Sequence, residues 1–419
     1  MRIFQVKKVN IAVLKKVNVL LGAALVTLLT VTLAVYPKES VEAATAGLKI
    51  FWEIVLPSLL PFFVLSEIML GMGVVHFIGV LLEPLMRPVF NVPGAGAFAL
   101  SMGLAAGYPM DAVITGKFRR NGMCTQVEGE RLLSFTNTAD PLFIFGAVAV
   151  GMFGRPQLGV ILAIAHYLSS FTVGFIYRYY RRDEVQTHTA TGSNRKILPQ
   201  AVRALLQARR EDGRPFGKIM GDAVRESMST LLMIGGFIMI FSVLVRILAA
   251  IGVLQIINPI LASILKLFGL NPILAQAVFN GILEIDLGTM AASQVNAALI
   301  DRTMVASWII GWSGLCVHGQ VASVVHDTDI RMGPYVAGRL LHGLIAAIYT
   351  GFLMGPLFPV FAPFARLAPV TLKFNPLDRI LLSGVELLIG FGVFILAALV
   401  VFLCRRYRLV RMETEKSPS

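Results

Sequence analysis

Charge is scarce in this chain. Only 15% of its 419 residues are Asp, Glu, Lys or Arg, while 56% are hydrophobic. A soluble domain of this length needs more charged surface than that. Cysteine is scarcer still. Cys124, Cys316 and Cys404 are far apart, which excludes a disulfide framework and a thiolate metal site. P-loop and Gly-x-Gly-x-x-Gly patterns are missing, so the chain carries no nucleotide-binding signature of its own. Hydrolase, kinase and metal motifs are missing too, and no nucleophile stands beside a base. The chain therefore reads as a non-enzyme without a cofactor.

What it has in plenty is long apolar runs, recurring from residue 17 to residue 404. That is the composition of an all-α polytopic membrane protein, because lipid-facing backbone must satisfy itself within each segment. The net charge of +13 sits in short loops between apolar runs, which is the positive-inside pattern rather than a nucleic-acid surface. The expected associates are a lipid bilayer, a small-molecule substrate and a coupling proton or cation, with oligomerisation left open. The basic start "MRIFQVKKVNIAVLKK" precedes an apolar run over 17–36. An uncleaved first helix is the expectation. A signal peptide cut near "VEAATA" is the alternative, and either puts 37–46 outside.

Candidate spans lie at about 17–36, 47–72, 132–154, 157–177, 224–250, 303–325, 338–360 and 379–403. Two further apolar stretches, 93–116 and 271–293, are interrupted by Gly, Pro or acidic residues. The loop 178–218 holds ten Lys/Arg against four Asp/Glu and should be cytoplasmic. So should the basic N-terminal segment, the segment 116–131 and the tail "CRRYRLVR". Parity then forbids a full crossing at 93–116 or at 271–293. The expectation is about eight transmembrane helices plus two re-entrant hairpins entering from opposite faces, with both termini cytoplasmic.

The two halves match weakly. "SLLPFFVLSEIML" (58–70) faces "TLLMIGGFIMIFS" (230–242), "EPLMRPVF" (83–90) faces "NPILASIL" (258–265), and Pro93 faces Pro272. "LSFTNTADPL" (133–142) then faces "ASWIIGWSGL" (306–315). The order of span, amphipathic segment, broken hairpin and span recurs with opposite orientation. An inverted repeat with broken helices is a transporter signature. The chain divides into 1–46, the basic segment and first helix; 47–177, a first gate-like repeat and following helix; 178–218, a basic loop; 219–360, a second, inverted repeat and following helix; and 361–419, the last helix and tail.

Four polar clusters interrupt the apolar runs. They are Gly107, Tyr108, Pro109 and Asp111; Asn137, Thr138, Asp140 and Pro141; Glu284, Asp286, Gly288 and Thr289; and His318 with Gln320. Breaks of this kind expose backbone N–H and C=O groups to a solute. Carboxylates inside a membrane are expensive and usually functional, so Asp111, Asp140, Glu284 and Asp286 are candidates for ion or proton coupling. Gly107, Tyr108, Pro109, Asn137, Thr138, Gly288, Thr289, His318 and Gln320 are candidates for substrate binding. Gly107 and Pro109 could instead only shape a kink. Asn137 and Thr138 could join helices, and His318 could be a packing histidine. Asp111 could lie nearer the cytoplasmic mouth. Glu67 and His166 have no polar neighbours in sequence and read as quiet. Lys117, Arg119 and Arg120 read as topology determinants, and 197–211 as an amphipathic surface helix.

The pieces "LPSLLPFF", "AAGYPMDAVITGKF", "LLSFTNTADPLFIFGAV", "LEIDLG" and "GLCVHGQVASVV" occur in order over residues 45–365. Together they resemble the nucleoside-recognition (gate) domain superfamily and, more closely, YlbJ-type sporulation integral membrane proteins. The resemblance implies a role in endospore formation at the mother-cell membrane around the forespore, and movement of dipicolinate, a small planar dicarboxylate. It implies substrate contacts at Gly107, Tyr108, Pro109, Asn137, Pro141, Glu284, Gly288, His318 and Gln320. Asp111 and Asp286 depart from the pattern, which has a small residue and Thr there. Both add a carboxylate, suited to a coupling proton or cation. The leading reading is a secondary transporter of a small polar, anionic metabolite. A carrier of nucleosides or other neutral solutes, needing no Arg, and a non-transporting sporulation scaffold are the alternatives.

Overall fold

The computed structural model describes residues 11–184, 187 and 197–355. The expected span at 379–403 and the tail lie outside the described residues, as does the basic start up to residue 10. Among the described residues every regular element is helical. Helix α1 (Ile11–Val35) is followed directly by α2 (Pro37–Ile50), where a loop was expected. Pro37 sits in the first turn of α2, where its missing N–H is no loss. Helix α2 continues through a π-helical turn, Phe51–Val55, into α3 (Leu56–Gly71).

The chain then bends by 83° into α4 (Val74–Phe90). Gly73 makes the bend with φ of +79°, a conformation that favours a residue without a Cβ. A side chain there would also strike the Leu205 carbonyl of α9 (Ile197–Asp212), which is seated over the bend. Helix α9 thus packs on α4, and it covers the stretch 197–211 expected as an amphipathic surface helix.

Next comes a helical hairpin, α5 (Gly96–Ala106) and α6 (Met110–Arg120), folded back so that Gly103 meets Asp111. Helix α7 (Gln126–Thr136) starts with a Thr125–Glu128 capping box. It stops at Thr136. Residues 137–141 are not helical up to Pro141, and a π-helical segment, Leu142–Met152, follows. The expected single span 132–154 is therefore broken. Helix α8 (Gln157–Tyr177) closes the first half.

The second half repeats this order. Helix α10 (Phe216–Ala250) ends at Gly252, again left-handed with φ of +83°, and α11 (Val253–Leu267) follows. A short 3-10 turn, Pro272–Leu274, leads into a second hairpin, α12 (Ala275–Leu283) and α13 (Ile285–Gln294). Gly288 and Gly281 pack so closely there that a Cβ on Gly288 would lie 2.3 Å from the Gly281 Cα. Helix α14 (Leu299–Trp312) breaks at Ser313 and Gly314 before α15 (Gly314–Val325), and α16 (Met332–Met354) ends the half.

The rod α2–α3 packs along α10 in the antiparallel sense. Gly47 lies against Met239 and Ser242, Phe51 against Gly235, and Gly71 against Ile219. Equivalent helices of the two halves thus run in opposite directions. Helix α16 packs against α7, α8 and α14, with Gly338 on Ser134 and Gly343 on Trp308.

Among the described residues four stretches are long and apolar enough to cross a membrane: Gln157–Tyr177, Phe216–Ala250, Leu299–Val325 and Met332–Met354. The bent pair Leu59–Gly71 and Val74–Phe90 makes a fifth if it is counted as one span.

Candidate functional site

The first hairpin turns at Gly107–Pro109, where the Tyr108–Pro109 peptide is cis. Gly107 has φ of +74° and lies against Asp140. A Cβ at residue 107 would approach the Asp140 carboxylate to 2.8 Å and its backbone nitrogen to 3.0 Å. The second hairpin turns at Glu284, whose carboxylate accepts the Leu287 N–H at 2.8 Å and so caps α13. The Glu284 backbone lies under Gly314, in the break between α14 and α15. Each hairpin tip therefore abuts the break in the span that follows it. The four polar clusters come together in two pairs.

These pairs are joined across the molecule. The Tyr108 hydroxyl donates to the Ile310 carbonyl at 2.6 Å, linking the first tip to the end of α14. Asp286 lies within electrostatic reach of both Glu284 and Asp140. Tyr108, Asp140 and Asp286 remain partly exposed, whereas Glu284 is buried. Asp140 also caps the segment after the break, accepting the Phe143 N–H at 2.9 Å.

Other expected site residues serve the scaffold. Asp111 is fully buried and accepts hydrogen bonds from Asn137 at 2.7 Å and Thr136 at 3.0 Å. It ties the first hairpin to the end of α7. Thr138 is buried and reaches only the Thr136 carbonyl, at 3.4 Å. Thr289 turns back to the carbonyls of Ile285 and Asp286 in its own helix. Gly288 permits the close approach of α12 and α13. Gln320 contacts the Cys316 sulfur at 3.4 Å. His318 Nδ1 pairs with the Gly314 carbonyl at 2.8 Å, while its buried Nε2 has no partner. Its ring lies 4.3 Å from Trp312 and 5.1 Å from Tyr335.

The residue that sequence reasoning missed is Arg339. It is fully buried on α16 and donates to the Asn137 carbonyl in the first break and to the Gly311 carbonyl at the second. Further contacts run to the Ile310 carbonyl at 3.4 Å and to His342 Nδ1 at 2.8 Å. Its guanidinium carbon stands 5.7 Å from the centre of the Tyr108 ring. No carboxylate of the described residues pairs with it, and its Nε has no partner. Burying a cation costs several kcal/mol, which hydrogen bonds to neutral carbonyls offset only in part.

Tyr335, Arg339 and His342 share one face of α16, spaced four and three residues apart. An arginine and a histidine inside the apolar run "GPYVAGRLLHGLIAAI" were the available signal. His166, expected to be quiet, is also central. Its Nε2 accepts the Ala139 N–H at 2.9 Å, and its carbonyl pairs with His342 Nε2 at 2.9 Å. The Tyr335 hydroxyl completes the set by donating to the Asn137 side chain at 3.1 Å.

The basic residues after the first hairpin are also engaged. Lys117 pairs with Glu67 and with Glu226 at 2.7 Å, Arg119 with Asp329 at 2.6 Å, and Arg120 with Asp327 at 2.8 Å. The hydrogen bond from Arg119 holds the Asp329 carboxyl below the usual range. Among the described residues no group of three His, Cys, Asp or Glu side chains converges as metal ligands.

Helices throughout the described residues, several of them long and apolar, together with two broken hairpins and a buried polar centre, define a polytopic integral membrane protein. The Gate family, described as "Nucleoside recognition", matches residues 52–176. The chain is 42% identical over 384 residues to the sporulation integral membrane protein YlbJ of Bacillus subtilis (strain 168), covering 90% of this chain and 93% of that protein. It belongs to the YlbJ family of sporulation integral membrane proteins. No solved structure matches it.

Proposed function

We propose that this protein is a secondary transporter of a small polar, anionic metabolite, dipicolinate by family resemblance, acting in spore formation. The observation that carries the reading is the pairing of each hairpin tip with the break in the next span, Gly107 with Asp140 and Glu284 with Gly314. Irregular backbone at membrane depth is tolerated where it lines a cavity or is buried in protein, and it offers N–H and C=O groups to a solute.

In this reading the two hairpins are re-entrant from opposite faces of an inverted repeat. The full chain has eight spans with both termini in the cytoplasm. The functional units are 47–177 and 219–360. The protein works in the mother-cell membrane around the forespore. Tyr108, Asp140 and Asp286 line the solute path, and Asp140, Glu284 and Asp286 carry the coupling proton or cation. Access alternates as one hairpin and then the other moves against its break.

The test is uptake of labelled dipicolinate and of uridine into liposomes holding the purified protein, with and without a proton gradient. Saturable dipicolinate uptake supports the reading. Loss of the gradient dependence in a Glu284→Gln, Asp286→Asn double variant supports the coupling assignment. Unchanged transport and pH dependence in that variant sinks it. A second reading, a carrier of nucleosides or other neutral solutes, draws on the description of the Gate family. Uridine uptake without dipicolinate uptake would select it.

A further inference from the structure

The buried cation at the centre has no role in the proposed transport path. We infer that Arg339 is the residue that selects a carboxylate in the transported solute, and that it couples recognition to movement of the two halves. The inference rests on the transporter reading.

Three observations carry it. First, the Arg339 guanidinium bridges the two broken spans, through the Asn137 carbonyl on one side and the Gly311 carbonyl on the other. Tyr335, on the same face of α16, also meets both breaks, through the Asn137 and Ser313 side chains, but carries no charge to offer a solute. Second, its charge is fully buried with no carboxylate hydrogen-bonded to it among the described residues; Asp111 lies within electrostatic reach but is held by Asn137 and Thr136, and the Arg339 Nε is unpartnered. Neutral carbonyls are weaker partners for a guanidinium than a carboxylate, which fits its planar fork with two parallel hydrogen bonds. Third, the Tyr108 ring covers the guanidinium at 5.7 Å, and Tyr108 belongs to the partly exposed tip of the first hairpin.

A carboxylate arriving beside Tyr108 would take the Nε–H and one terminal N–H together. The terminal N–H would leave a backbone carbonyl to do so. Giving up Asn137 or Gly311 removes one of the links between the breaks, leaving those through Tyr108 and Tyr335. Binding therefore loosens the bridge between the halves, and a solute without a carboxylate leaves it closed. The neighbouring charges are Asp111, held by Asn137 and Thr136, and the neutral acceptor His342, so no protein anion takes the guanidinium instead.

The test uses the full chain in liposomes, with labelled dipicolinate and its neutral diamide as probes. Wild type should take up dipicolinate and ignore the diamide. Arg339→Lys keeps the charge and loses the fork. It should raise KM for dipicolinate on the order of tenfold or more, with a smaller change in maximal rate. Arg339→Gln should abolish saturable dipicolinate uptake. Should the Gln variant fail to fold, the Lys variant and a wild-type thermal-shift measurement decide. Dipicolinate should raise the unfolding temperature of wild type and the diamide should not. Wild-type KM and selectivity in Arg339→Lys would overturn the assignment while the transporter reading stands. Equal uptake of both probes by wild type would overturn the assignment while transport stands, and uptake of neither would overturn both.

Discussion

His166 and His342 stack with ring centroids 4.5 Å apart, and each stands near the middle of the last helix of its half. The two halves meet here on like residues. The contact is also polar, since His342 Nε2 pairs with the His166 carbonyl and His166 Nε2 takes the Ala139 N–H. The interface between halves and the break at 137–141 are thereby held by one side chain.

Replacing His166 with Phe keeps the ring and removes the acceptor. The Ala139 N–H is then left unpaired in the interior, which costs about 1–3 kcal/mol. Thermal unfolding of the purified variant should show a lower midpoint than wild type. An unchanged midpoint would mean that another group takes the Ala139 N–H.

At Gly107 any side chain faces two penalties. The positive φ costs about 1–3 kcal/mol for a residue other than glycine. The Cβ would also crowd Asp140. Gly107→Ala should express at reduced level and lose most uptake, whereas Gly122→Ala should be milder. Gly122 has a positive φ as well, but nothing lies within 4 Å of its would-be Cβ. Equal behaviour of the two variants would remove the contact with Asp140 from the account.

Lys117 joins the first hairpin to α3 through Glu67 and to α10 through Glu226. Its side chain and that of Glu67 are 17% and 14% exposed, between the surface and buried limits for ion pairs. Lys117→Gln should therefore destabilise by about 1–3 kcal/mol, leaving Glu67 charged and unpaired. The double variant with Glu67→Gln should lose less than the sum of the single variants. Strict additivity in thermal unfolding would show that the pair contributes nothing.

Acid should loosen the tether between Arg119 and Asp329. The Asp329 carboxyl is held below its ordinary value by the Arg119 hydrogen bond. A depressed carboxylate stabilises the folded form above its unfolded pKa of about 3.9, and that contribution disappears as pH falls through the lower folded value. Protection of the turn at 326–331 from hydrogen exchange should hold from neutral pH down to about pH 4 and fall below it. Asp329→Asn should show weak protection throughout. Protection that is the same in both proteins would assign the order of this turn to other contacts.

Much of the architecture is local and so was legible along the chain. Apolar runs report membrane segments because the bilayer interior admits few polar groups. Gly107, Pro109 and the acidic interruptions report chain breaks because they oppose helix continuation wherever they occur. The two hairpins follow from these signals, and so does the recurring order of elements. Segment ends were harder. The start of α2 at Pro37 lies in a polar stretch that hydropathy reads as loop.

The centre is a different matter, for reasons of distance in sequence. Arg339 contacts Asn137 across 202 positions, Tyr108 contacts Ile310 across the same separation, and His342 contacts His166 across 176. Local composition marks Arg339 as costly without naming its partners. It marks Asp111 as a carboxylate in a membrane without revealing that Asn137 and Thr136 already occupy it. Hydropathy and backbone chemistry act over a few residues, so the chain alone carries the helices, their breaks and their repetition. Which polar side chains are spent on the scaffold and which remain available depends on three-dimensional packing, because the hydrogen-bond partners lie on other helices, several of them in the opposite half of the protein.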